Sequence, residues 1–236
     1  MENGFNPGKI RILARISDNP YEECYQPISH EILYYPGRKQ IPEAEVYSRL
    51  GRMYFDGLGV DKDDIKGCRY LEIAYDKGSR TIRTGDYLMM GVYRHIETSK
   101  AIQCGLTRDL RLAIKWYACC LEDCIQMEDE RGINLVLSHL GRAFVDDEIK
   151  DYRSAFICLS RACHQEAEAL FYLARMYDRG LYVKKNHEKA EYYINKIMET
   201  PEFEGEVFYD CAHEIMECWE MGVPDEVIDK IIYGLG

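Results

Sequence analysis

Apolar positions in this chain recur at spacings of three and four, the rhythm of one face of an α-helix. In "DIKGCRYLEIA", Gly67, Tyr70, Leu71 and Ala74 share a stripe, with Asp63 just ahead of it. In "NHEKAEYYINKI", Ala190, Tyr193, Ile194 and Ile197 do the same behind Asn186. "DLRLAIKWYACC" adds Ala113, Trp116, Tyr117 and Cys120, and "DYRSAFICLSRA" adds Ala155, Cys158, Leu159 and Ala162. In each case Asp or Asn (Asp63, Asp109, Asp151, Asn186) stands four residues before the small residue. That is the N-cap place, where a side-chain oxygen satisfies a backbone N–H that the helix leaves unpaired. Four helices of one type are therefore predicted.

A second pattern precedes these helices. "LGRMYFDG" (Leu50 to Gly57) and "LARMYDRG" (Leu173 to Gly180) agree at five of eight places, and "LGRAFVDD" (Leu140 to Asp147) is a third version. "MMGVYRH" fits if Met89 stands for Leu50 and Tyr93 for Tyr54. The chain thus reads as four helix–loop–helix repeats. The small residues Gly51, Gly141 and Ala174 are expected where two helices approach closely. Gly57, Gly59 and Gly180 are expected to end the first helix with positive φ. The small residues of the second helices lie 46, 42 and 35 residues apart, so the loops carry insertions while the helical register is kept.

The two ends differ from the repeats, as expected of caps with one side in water. Residues 207–220 form an amphipathic pattern, followed by a turn at Gly222 and Pro224 into a short last helix. Residues 1–42 are rich in proline and tyrosine, and "KIRILARI" alternates as a strand would. A strand, an arm and a divergent helix all remain open there.

The order Leu-Gly-x-x-Tyr-x-x-Gly-x-Gly-Val, then Asp, then Ala-x-x-(Trp or Tyr)-x-x-x-Ala, resembles the Sel-one-like repeat, a relative of the tetratricopeptide repeat. The resemblance covers about two-thirds of the chain, best over residues 46–78 and well over 169–198. The second copy departs most, with seven extra residues between Tyr93 and Asp109 relative to Tyr54 and Asp63. What the resemblance implies is an all-α, right-handed α-α superhelix, a solenoid of helix–loop–helix repeats with terminal caps. The implied division is an arm or cap over 1–42, four repeats over 43–199 and capping helices over 200–236. Secreted relatives join the two helices of a repeat by a disulfide. Here Cys68, Cys119, Cys120, Cys158 and Cys163 all lie in second helices, and their first-helix partners are missing in the first, third and fourth repeats.

Composition narrows the function. The formal charge of −11 disfavours nucleic acid and anionic membranes. No apolar run is long enough for a membrane span, and the N-terminus lacks the apolar core of a secretion signal. A cytoplasmic protein with reduced thiols is expected. "CCLEDC" places Cys120 and Cys124 at i, i+4 on one helix face, and "CAHEIMEC" places Cys211, His213 and Cys218 on another helix. The Cys-x-x-Cys spacing of zinc loops is absent, so these are read as core thiols, with no metal and no cofactor. The six histidines are scattered, and no nucleotide-binding glycine motif or nucleophile elbow is present, so no catalytic residue is expected.

Arg52, Arg142 and Arg175 fall at one position of three repeats. In the related superfamily first helices line the concave side. The resulting expectation is a non-catalytic scaffold or adaptor whose groove grips a peptide or protein partner. Arg52, Arg142 and Arg175 would bind carboxylates, with Tyr47, Tyr172 and Asn134 or Ser138 beside them. The bland alternative is internal pairing or solvation of the arginines. A second class is an enzyme or small-ligand protein with its pocket under the 94–107 loop. The oligomeric state is left open.

Overall fold

The computed structural model describes residues 42–79, 81–95 and 107–233. The alternating "KIRILARI" and the loop proposed to cover a pocket lie almost wholly outside these residues. Every regular element among the described residues is a helix. The chain divides into two compact units, one ending at Asp109 and the other starting at Leu110.

The first unit contains α1 (Glu43–Asp56), α2 (Asp64–Asp76) and α3 (Thr84–His95). α1 packs along α2, and α2 against α3. Gly51 sets the closeness of the first contact. A Cβ there would lie 2.6 Å from Leu71 Cγ and 2.9 Å from the Gly67 carbonyl oxygen. α1 stops at Gly57, whose φ of 67° lets its N–H reach the Met53 carbonyl. The Asp63 carboxylate then caps α2 by accepting the Lys66 N–H at 3.2 Å.

The second unit contains α4 (Leu110–Gln126), α5 (Glu130–Val145), α6 (Tyr152–Ala162), α7 (Ala167–Arg179), α8 (His187–Met198), a short 3-10 turn, α9 (Val207–Glu220) and α10 (Asp225–Tyr233). Each helix packs on the next, and α5, α7 and α9 also touch in succession. This is solenoid stacking of helical hairpins. The Asp151 carboxylate caps α6 through the Ser154 N–H, and Asn186 caps α8 through the Lys189 N–H. Asp129 caps α5 in the same way, so that this helix starts at Glu130, ten residues ahead of Leu140. The core holds Trp116, Tyr117, Leu159, Phe171 and Leu173. Burying a large apolar side chain of this kind contributes about 1.5–3 kcal/mol.

One expected register is corrected. The Asp63 N–H donates to the Tyr54 carbonyl at 3.0 Å, and the Asn186 N–H to the Tyr177 carbonyl at 2.8 Å. The corresponding bond from Asp109 goes to Arg94, also at 2.8 Å. Arg94, and not Tyr93, therefore holds the place of Tyr54. Met90 and Gly91 then match Leu50 and Gly51, and Met90 is fully buried. The physical reason is that a buried charged residue occupies the aromatic slot, held there by Glu72.

Candidate partner-binding surface

The three arginines meet different fates. Arg52 bonds within its own helix, to the Ser48 carbonyl and hydroxyl, each at 3.4 Å. Arg142 donates to Glu168 Oε1 at 2.9 Å. The other Glu168 oxygen takes the Ser138 hydroxyl at 3.0 Å and contacts His139 Nδ1 at 2.8 Å. Asn134 completes this seam through Gln165 at 2.9 Å. These bonds fasten α5 to α7. Arg175 lines a cavity of about 10 Å³ with Phe171, Ala174, Asp178, Ile215 and Trp219. That is room for one water at most, and for no metabolite.

The two tyrosines expected beside the arginines are used in packing. Tyr47 is 2% exposed and clusters with Leu50 and Ala74, so it corrects the expectation of an exposed groove aromatic. It faces inward because it lies on the α1 stripe that packs on α2. Tyr172 sits edge-on to Phe171 and Phe208, with centroids at 5.6 and 6.1 Å. Burial pushes its hydroxyl up to about 12 despite the lowering by Arg142.

Other titratable groups are likewise turned towards structure. Glu72 accepts two bonds from Arg94 at 2.7 Å, and one from Arg69 at 3.0 Å. Arg179 reaches the Asp225 carbonyl at 2.9 Å and Asp229 at 3.2 Å, and also pairs with the Asp225 carboxylate. That pins α10 to α7. Cys211 and Cys218 face the core while His213 is exposed, its ring 4.9 Å from Tyr209. Burial pushes the Cys120 thiol up to about 12 and the Cys158 and Cys211 thiols up to about 11.

A row of rings in the second unit was not expected from the repeat pattern. Tyr182, in the loop after α7, lies 5.7 Å from Phe156 of α6. Phe156 meets Tyr177 of α7 at 6.2 Å, and Tyr177 stacks on Tyr193 of α8 at 5.7 Å. Tyr193 meets Tyr192 edge-on at 5.3 Å. The inner part repeats a device of the first unit, where Tyr54 stacks on Tyr70 at 5.5 Å with Lys66 over Tyr54. Here Lys189 lies 4.8 Å over Tyr177. The ends of the row, Tyr182 and Tyr192, are 56% and 61% exposed. The sequence signal was a tyrosine at 182 where the first repeat has Gly59.

A family model described as the Sel1 repeat matches residues 44–79, 96–119, 140–166 and 167–196. The chain belongs to the Sel1-repeat family. Its all-α repeat architecture is the one the sequence pattern implied. Sel1 repeats generally mediate protein–protein interaction, and the family is typically non-catalytic. The second match starts after α3, in keeping with that helix's divergence. A solved Sel1 repeat protein from Oxalobacter formigenes is similar at 20% identity and a TM-score of 0.41, over 80% of this chain and 68% of that one. A second is c5321, a protective antigen of uropathogenic Escherichia coli with an SLR fold. It shows 22% identity and a TM-score of 0.31, over 67% of this chain and 38% of that one. No curated protein matches the chain significantly. Among the described residues no helix is long and apolar enough to cross a membrane.

Proposed function

We propose that this Sel1-repeat chain is a non-catalytic scaffold or adaptor that holds a peptide or protein partner. The observation that supports this reading is the ring row from Tyr182 to Tyr192, which ends in two tyrosines more than half exposed. Exposed aromatics on a rigid helical frame are favoured contact residues, since they offer area at little conformational cost. The seam at Glu168 takes Arg142 out of the proposed groove. Residues 43–199 act as the repeat array, with 200–236 as its cap. Cys68, Cys120, Cys158 and Cys211 are free thiols, which suits the reducing cytoplasm. The charge of −11 makes protein a better partner than nucleic acid.

The reading is tested with the full chain as bait in native lysate, followed by cross-linking and mass spectrometry. A protein retained by the wild type and lost with Tyr182→Ala/Tyr192→Ala is expected. Retention of nothing above a Sel1-unrelated bait, together with turnover in a metabolite screen, would replace the scaffold with an enzyme.

A further inference from the structure

We infer that the ring row binds an acidic peptide segment, laid with apolar side chains on the rings and carboxylates at the lysines beside Tyr182. This inference rests on the scaffold reading and names its partner class.

Tyr182 carries the inference furthest. Its φ is 64°, in the left-handed region, and the matching residue of the first repeat is Gly59 at 76°. A side chain in that region costs roughly 1–2 kcal/mol, which glycine avoids. A ring that is 56% exposed recovers only part of this by burial. Backbone strain retained on an exposed aromatic points to contact with something outside the chain.

Charge selects the occupant. Lys184, Lys185 and Lys189 follow Tyr182 within seven residues and all are exposed, in a chain whose net charge is −11. Lys185 already lies 3.7 Å from Asp225. Lys184, and Lys189 whose ammonium also lies over the Tyr177 ring within the row, are the exposed cations left to a partner. Glu188 and Glu191 are exposed on α8, so the Tyr192 end is less positive. Carboxylates are expected at the Tyr182 end and apolar groups towards Tyr192. A basic partner would meet the lysines with like charge, and opposite charge governs both docking register and on-rate.

The test is selection of a random dodecapeptide phage library on the full-length protein. An enriched peptide is then synthesised with a fluorophore, and its affinity is measured by anisotropy. Enrichment of Asp or Glu next to Phe, Leu or Tyr is expected. Lys184→Glu/Lys189→Glu and Tyr192→Ala should each weaken that peptide about tenfold or more, and salt should weaken it further. Tyr182→Gly is the decisive variant. It should lower affinity while leaving thermal stability equal or higher, whereas a purely structural ring would lose stability with affinity unchanged. Peptides without acidic bias, or affinity indifferent to these variants, overturn the inference. So does no enrichment at all, and a lysate partner lost with Tyr182→Ala/Tyr192→Ala would then still stand for the wider reading. Oligomers that dissociate with Tyr192→Ala would assign the row to a second copy and overturn it too.

Discussion

Arg142 of α5 and Glu168 of α7 meet at 2.9 Å with both side chains largely out of water, and so join consecutive repeats. Burial raises the Glu168 carboxyl, but His139 and Arg142 together outweigh it and hold it at about 2, well below the ordinary glutamate value of 4.5. The folded value lies below the unfolded one. The stabilisation is therefore complete above about 4.5 and is lost as pH falls towards 2. Its full size is about 3 kcal/mol. Urea unfolding at a series of pH values should show that slope in the wild type and a flatter one in Glu168→Gln. At pH 7 the variant should lose about 3 kcal/mol, because Arg142 is left without its carboxylate. Equal slopes in the two proteins would remove Glu168 from the acid transition.

The Glu72–Arg94 pair of the first unit makes a different prediction. Both residues are under 9% exposed, and the contact is bidentate at 2.7 Å. Arg94→Met alone leaves the buried Glu72 carboxylate with only its bond from Arg69 and should cost about 2–3 kcal/mol. Glu72→Met/Arg94→Met removes both charges, and should be more stable than the single variant. Denaturant melts of the four proteins in a cycle measure this. A double variant at least as unstable as Arg94→Met would show that the pair contributes net stability and does more than avoid a penalty.

The parts of the fold that depend on neighbours in sequence were legible. Asp63, Asp151 and Asn186 cap their helices as the four-residue spacing implied, and Gly57 and Gly180 end theirs with left-handed φ. Parts that depend on distant partners were not. Arg142 stood in the right place in the repeat, but the carboxylate that engages it lies 26 residues on, at the start of another helix. Arg94 hid the register of α3, because an arginine in an aromatic slot makes sense only once Glu72 is seen opposite. Tyr47 looked like a groove residue since the pattern identifies a helix face without saying what covers it. The ring row was invisible for the converse reason: Tyr182 breaks the glycine pattern at a loop, and its neighbours come from three helices.

Cysteine chemistry follows from burial. The Cys120 thiol at about 12, and those of Cys158 and Cys211 at about 11, are almost entirely protonated at pH 8. Alkylation of the native protein with iodoacetamide at pH 8 should leave these three unmodified over minutes. In guanidinium the same peptides should label fully, as read by mass spectrometry. Rapid native labelling of Cys120 would mean that α4 opens locally on that timescale.

Helix contact at Gly141 gives the most direct test of repeat packing. A Cβ at this position would lie 2.4 Å from both Cγ and Cδ2 of Leu159, so α5 or α6 must move to admit it. Overpacking of this kind typically costs about 1–3 kcal/mol. Alanine would also gain about 1 kcal/mol of helix propensity over glycine. The clash should win, because Leu159 is fully buried and α6 has little room to retreat. Gly141→Ala should therefore lower stability by up to about 2 kcal/mol in thermal or denaturant melts. Leu159→Ala alone should cost about 2–5 kcal/mol through its cavity. In Gly141→Ala/Leu159→Ala the added methyl occupies part of that cavity. The double variant should then be more stable than the sum of the two losses, with a coupling of about 1 kcal/mol. Strict additivity would mean that the two residues do not share this contact, and would remove Gly141 as the notch that lets α5 and α6 close.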